Sequence, residues 1–175
     1  MHDTKIKLSD AIERHTLTVL VDNEAGVLAR VVGLFSGRGY NIESLTVAEV
    51  DPMARTSRIT IVTSGTPEVI EQIETQLRRL VPTHKVTNWT GQKAGIEREM
   101  ALIKAAGMGD KRVEALRMAD AFRARPVDTT QASFVFEITG APAKIDSFIE
   151  LMRPLGLVEV SRTGVAAISR GAEAM

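Results

Sequence analysis

The chain has 175 residues, enough for one medium domain or two small ones. Its 22 Lys and Arg equal its 22 Asp and Glu, so no basic excess is present to neutralise phosphates, which argues against nucleic-acid binding. Cysteine is absent, which removes a disulfide framework, a thiolate zinc site and a cysteine nucleophile together and fits a reducing cytoplasm.

Residues 1–14 mix Lys5 and Lys7 with Asp3, Asp10 and Glu13 around no hydrophobic centre. They are expected to form a frayed polar extension, neither a secretory signal nor a transit peptide. No apolar run approaches the roughly 20 residues of a membrane span. Leu17, Val19 and Val21 then alternate as a strand. A polar turn, Asp22-Asn23-Glu24-Ala25, follows, and Gly26 opens a helix with an apolar stripe of Val27, Leu28, Val31, Leu34 and Phe35. That helix ends at Gly37-Arg38-Gly39, with Gly39 as its C-terminal cap. A second strand is expected from Tyr40-Asn41-Ile42 through Val50 to the turn at Asp51-Pro52, and a third around Ile59 and Ile61. Thr66-Pro67 starts a second helix carrying Val69, Ile73, Leu77 and Leu80, Pro82 stops it, and Val86 to Trp89 form a last strand. The order strand, helix, strand, strand, helix, strand over residues 15–90 is a ferredoxin-like unit, an antiparallel four-stranded sheet with both helices on one face.

Polar, glycine-bearing Thr90 to Gly95 reads as a linker, assigned to residues 91–96. Residues 97–171 repeat the rhythm, with a tail at 172–175. Met100, Leu102 and Ile103 suggest a strand, and Gly107-Met108-Gly109-Asp110 leads into a helix with Val113, Leu116, Ala119 and Phe122 that Pro126 ends. Phe134, Phe136 and Ile138 alternate, Ile145, Phe148, Ile149 and Met152 recur at helical spacing, and strands follow at Leu157 to Val160 and Val165 to Ile168. The fold class is therefore α+β with two ferredoxin-like (βαββαβ) domains. Each leaves sheet edges and one sheet face without helices. Edge strands are normally covered or paired, and side-by-side dimerisation about a two-fold axis is one way to do so.

No catalytic or metal-binding constellation emerges. The three histidines, His2, His15 and His84, lack metal-ligand spacing and read as polar residues at strand ends. There is no G-x-S-x-G elbow, and Gly33, Gly37 and Gly39 lie inside and after a helix, outside the strand–loop–helix context of a dinucleotide site. Glu97 and Glu99, separated by Arg98, read as a solvated strand end, and the methionines as core filler. Ferredoxin-like folds host unrelated functions. An RNA-binding version needs sheet aromatics and a basic surface, whereas aromatics are only 4% here. A metal chaperone needs paired cysteines. A phosphate-binding version needs an Arg in the first turn, where this chain has Asp22 and Glu24. A site does emerge at Gly26, because a glycine at a helix mouth leaves main-chain donors uncovered in a region of partial positive charge. Such a mouth suits a small carboxylate, and the amides of Asn23 and Asn41, which both donate and accept, suit a zwitterion. The same pattern also serves an ordinary strand–turn–helix.

The segment from Asn23 to Val47, NEAGVLARVVGLFSGRGYNIESLTV, resembles the opening of an ACT domain, the amino-acid-sensing βαββαβ module. More closely, it is similar to the start of the small, regulatory subunit of acetolactate synthase. The similarity continues through Ile73-Glu74, Gln76-Leu77, Leu80-Val81, Glu97-Arg98-Glu99, Ser161-Arg162-Thr163-Gly164 and Ser169-Arg170-Gly171, covering residues 15–171. This resemblance implies that the chain has no catalytic residues or cofactor of its own. A separate catalytic subunit would hold thiamine diphosphate, Mg²⁺ and FAD and condense pyruvate with a second 2-oxo acid. The chain would stimulate that subunit and confer feedback inhibition by a branched-chain amino acid, most often valine. It also implies an effector site at a homodimer interface formed through the ACT domains, with Asn23, Gly26, Val27 and Leu28 from one protomer and Asn41 and Ile42 from the other. Neither a nucleic acid nor a membrane is an expected partner, and the location is cytoplasmic. A free-standing amino-acid-binding protein without an enzyme partner is the other reading.

Overall fold

The computed structural model describes residues 11–91 and 95–175. Two expected segments lie partly outside this range, namely the first ten residues of the N-terminal extension and Gln92 to Ala94 of the linker. The chain forms two compact units, one running up to Ile96 and including Ala167–Met175, the other spanning Glu97–Ala166.

The first unit contains β1 (Glu13–Asp22), α1 (Val27–Arg38), β2 (Ser44–Asp51), β3 (Thr56–Gly65), α2 (Pro67–Arg79) and β4 (Thr83–Asn88). Its antiparallel sheet has the order β2-β3-β1-β4, so β2 is an edge strand. The register sets Leu17 opposite Ile61 and Val19 opposite Ile59. These four side chains are fully buried with Val31, Phe35, Ile73 and Leu77 from the two helices. Period-2 alternation on the strands and period-3.6 spacing on the helices thus meet in one apolar layer.

The helix ends follow local chemistry. Gly39 sits at φ 70° and Tyr40 N–H donates to Phe35 O at 3.0 Å, a glycine-capped terminus that only a residue without Cβ adopts cheaply. Pro67 occupies the first turn of α2, and the Thr66 hydroxyl accepts from Val69 N–H. Two boundaries differ from the sequence reading. β1 begins at Glu13, inside the expected polar extension, because Glu13 and Arg14 pair with Gly65 and Ser64. β2 begins at Ser44 rather than Tyr40, because the helix cap holds Tyr40 and the Asn41 carbonyl accepts from the Thr63 hydroxyl at 2.7 Å instead of joining a ladder.

The helix-free face of this sheet is lined by buried Thr16, Thr18, Thr60 and Val62. Buried Trp89 donates its indole N–H to Thr18 Oγ1 at 2.7 Å. Arg58 Nη1 donates to the Ala167 carbonyl at 3.3 Å, so the C-terminal segment lies against this sheet as well.

The second unit contains β5 (Ile96–Ala106), α3 (Asp110–Phe122), β6 (Arg125–Thr129), β7 (Ser133–Gly140), α4 (Pro142–Met152) and β8 (Leu157–Arg162), and β9 (Ala166–Ile168) follows. Its order β6-β7-β5-β8 repeats that of the first sheet, and β9 also pairs with β5. Phe134, Phe136, Ile138, Ile145, Phe148 and Met152 are buried as their spacing predicts.

Three readings change here. The buried side chains of β5 are Ala101, Ile103 and Ala105, so Met100 and Leu102 point to the opposite face. On α3 the buried residues are Ala115 and Ala119, while Val113 and Leu116 are exposed. Alanines let the helix approach a sheet already filled by Phe134 and Phe136, so in this layer size outweighs hydrophobicity. Finally, α3 is ended by Arg123 at φ 56°, with Ala124 N–H donating to Ala119 O. Pro126 lies beyond it in edge strand β6, where a missing N–H is tolerated.

Candidate functional site

The turn from Asp22 to Gly26 joins the centre of the first sheet to α1. Gly26 adopts φ 87°, and a Cβ built there would meet nothing within 4 Å, so the mouth of the helix is open. No side chain caps it. Val27 N–H makes a long contact of 3.5 Å to Glu24 O, and Arg30 N–H donates to Gly26 O at 3.0 Å. Between them, the N–H groups of Leu28 and Ala29 have no main-chain acceptor among the described residues. Two outward donors at the positive end of a helix form an anion-binding corner.

The rest of the turn is held from several sides. Asn23 N–H donates to Arg55 O at 2.6 Å, and its side-chain Nδ2 donates to Glu49 Oε1 at 3.0 Å, tying the turn to the β2–β3 hairpin. Asp22 pairs with His84, whose Nε2 lies 2.6 Å from Asp22 Oδ1. Arg30 Nη1 reaches Glu24 at 3.4 Å and the Val81 carbonyl at 2.8 Å. His84 is thus engaged structurally, and His15 likewise meets Asn88, with Nδ1 and Nδ2 3.1 Å apart.

The six residues singled out by sequence fall into two groups. Asn23, Gly26, Val27 and Leu28 surround the helix mouth. Val27 is buried in the core, whereas Leu28 is 42% exposed. Asn41 and Ile42 lie beyond the other end of α1, with Asn41 exposed and Ile42 packed against the margin of the core. Ten helical residues, Ala29 to Arg38, separate the groups, a distance of about 15 Å at 1.5 Å per residue. One chain therefore does not bring them together. Glu49 and Arg55 were not anticipated. Their link to Asn23 depends on which strand flanks the turn, and local spacing carries no such signal.

A second charged cluster lies in the other unit. Glu99, expected to be solvated, is buried with its side chain 3% exposed. Arg162 pairs with it through Nη2 and donates from Nη1 to Asp146 Oδ1 at 2.6 Å. Burial alone would lower the Arg162 pKa, but hydrogen bonds to Asp146 and Glu99 outweigh it and raise the value. The inward position follows from the β5 register, which also turns Ala101 inward. Next to this cluster, a groove of about 540 Å³ runs between α4 and β8, lined by residues including Asp146, Ile149, Arg153, Val158 and Arg162, and contains none of the six site residues. Among the described residues there is no group of three His, Cys, Asp or Glu placed to hold a metal ion, and no helix is long and apolar enough to cross a membrane.

Two family models match the chain: the ACT domain of small subunits of acetohydroxyacid synthase type over residues 17–85, and the small subunit of acetolactate synthase over residues 98–171. A probable acetolactate synthase small subunit of Archaeoglobus fulgidus is 47% identical over 160 residues, covering 90% of this chain and 98% of the relative. The acetolactate synthase isozyme 3 small subunit of Escherichia coli is 45% identical over 163 residues, covering 93% and 99%. The crystal structure of the acetolactate synthase small subunit from Thermotoga maritima superposes with a TM-score of 0.80 at 38% identity, covering 92% of this chain and 99% of that one.

Proposed function

We propose, from the premise that this chain belongs to the small-subunit family of acetolactate synthase, that it is the non-catalytic regulatory subunit of that enzyme in the cytoplasm. Its place is branched-chain amino-acid biosynthesis. The catalytic subunit holds thiamine diphosphate, Mg²⁺ and FAD, and this chain raises that subunit's activity and transmits feedback inhibition by valine or a related amino acid. The observation that supports sensing is the open mouth of α1, with Gly26 at φ 87° and free donors at Leu28 and Ala29 next to the Asn23 amide. Main-chain donors at a helix N-terminus favour a carboxylate.

The distance between the two residue groups calls for a second copy of the chain. β2 is the edge of its sheet, and antiparallel pairing of two β2 edges about a two-fold axis runs the strands in opposite directions. The Glu49 end of one β2, bonded to Asn23, then meets the Asn41–Ile42 end of the other. The effector would bind between Asn23, Gly26, Val27 and Leu28 of one copy and Asn41 and Ile42 of the second. Leu28 and Ile42 supply apolar surface, and such a slot separates side chains by only about 1–3 kcal/mol per methylene.

The test is co-purification with a thiamine-diphosphate acetolactate synthase followed by valine titration of the complex. The expected result is stable association, raised activity and inhibition by valine, with no carboligation by the chain alone. Turnover by the pure chain, or a complex it does not stimulate, overturns the reading.

A further inference from the structure

Three carboxylates surround the mouth of α1, and only two are matched by a basic side chain. Asp22 has His84 at 2.6 Å and Glu24 has Arg30 at 3.4 Å. The third, Glu49, meets the neutral amide of Asn23 at 3.0 Å, and no cation pairs with it among the described residues. An amide satisfies one acceptor position of a carboxylate but leaves its charge uncompensated.

The register makes Glu49 part of the mouth. It stands opposite Ser57, two residues along β2 from the pair Val47–Ile59, and Ile59 faces the helices in the core. Glu49 therefore lies on the helix side of the sheet. Its partner Asn23 precedes Gly26 by three residues, a span of at most about 11 Å. A helix mouth offering free N–H donors, with an uncompensated negative charge alongside, complements both ends of a zwitterion. A site made of amides alone would hold only the carboxylate end firmly.

We infer that Glu49 reads the ammonium group of the effector and makes the site select an amino acid over the 2-oxo acid of the same carbon skeleton. The inference rests on the sensing reading above. The selection matters chemically because the proposed catalytic partner consumes 2-oxo acids, which carry the same carboxylate and would otherwise compete for the same donors. A carboxylate near a helix N-terminus also favours the helix itself. That role affects stability alone and leaves the preference between the two ligands unchanged.

The experiment compares the full-length parent with Glu49→Gln by calorimetry, using L-valine and 3-methyl-2-oxobutanoate as probes. Glutamine keeps an acceptor oxygen for Asn23 at an exposed position, so the fold is retained. The parent should prefer valine. In the variant, valine binding should weaken about 10- to 100-fold, the range of one charge-assisted hydrogen bond. The oxo acid should bind as before or more tightly, so the preference collapses. A variant that keeps the parental preference, or a parent that binds both ligands equally, overturns this inference alone. A parent that binds no valine overturns the sensing reading and this inference with it.

Discussion

The two units share one topology and differ in what surrounds the first helix mouth. In both sheets the first strand lies between the third and the fourth, and a helix follows the first strand. After β1 the helix begins at Gly26 with empty space around it. After β5 the helix also begins at an open glycine, Gly109 at φ 60°, but the residues next to it are crowded and charged. A Cβ on Gly107 would meet Leu155 O at 3.2 Å and Lys111 at 3.3 Å, Arg112 stacks over Phe134 at 3.9 Å, and Asp110 stands in the first helical turn. A carboxylate there competes with any anion for the helix dipole. The fold thus supplies an open glycine at the helix mouth in both units, and the charge of the first turn decides whether an anion is favoured there. Charges differ in a parallel way. The first unit keeps its ion pair at the mouth exposed, as Arg30–Glu24, while the second buries Glu99 under Arg162.

The charge difference gives the largest expected effect. Arg162→Met leaves Glu99 buried without its cation and should destabilise the chain by about 3–5 kcal/mol, read by denaturant unfolding. Arg30→Met removes an exposed pair and should cost about 1 kcal/mol or less. Equal losses would mean that the two clusters do not differ as their burial indicates.

Gly26→Asp puts a carboxylate where that of the effector should lie, and valine binding to the reconstituted enzyme should weaken about tenfold or more. The substitution also places a side chain at φ 87°, with a strain of about 1–2 kcal/mol, so the melting temperature should fall while stimulation persists. Gly109→Asp strains the backbone too and should leave inhibition by valine unchanged. A Gly26→Asp enzyme as inhibitable as the parent would place the effector elsewhere.

A smaller effect concerns the last nine residues, Ala167–Met175, which group with the first unit although the expected second domain ran to residue 171. Truncation after Ala166 removes the Arg58–Ala167 hydrogen bond, about 1 kcal/mol. It should also shift the emission of Trp89, the only tryptophan, to longer wavelength. Unchanged emission would show that the segment does not shield this face. For the same reason, a chain cut after Gly95 lacks part of its own sensing unit and does not isolate it cleanly.

The smallest effect is a pH dependence. The hydrogen bond and charge of Lys104 lower the Glu159 pKa below its ordinary 4.5. A depressed carboxyl pKa stabilises the fold above the ordinary value, and the contribution disappears as pH falls through the lowered one. The stability difference between parent and Lys104→Met should therefore be seen at neutral pH and vanish in acid, and a difference that grows in acid contradicts the pairing.

Much of the fold was legible in local pattern. Leu17, Val19 and Val21 alternate, and Ile145, Phe148, Ile149 and Met152 recur at helical spacing, because a strand or helix with one buried face must repeat with its own period. Gly26 and Gly39 were legible for a related reason: both hold positive φ, where other residues are strained. Where side chains of different size compete for one layer, pattern misleads. Val113 and Leu116 have the helical spacing of a core, yet both are exposed, and the fully buried positions of α3 are Ala115 and the expected Ala119, with Met118 and Phe122 packed at the margin.

The sequence by itself therefore determined the order of elements apart from edge strand β6, the two-unit α+β architecture and the open turn at Gly26, all of which depend on residues close together in the chain. Tertiary structure alone decided that Glu49 and Arg55 hold Asn23, that Glu99 is buried under Arg162, that the C-terminal segment returns to the first unit, and that the ends of α1 stand too far apart for one chain to close the site. Each of these depends on strand order and register, which set distances between residues remote in sequence.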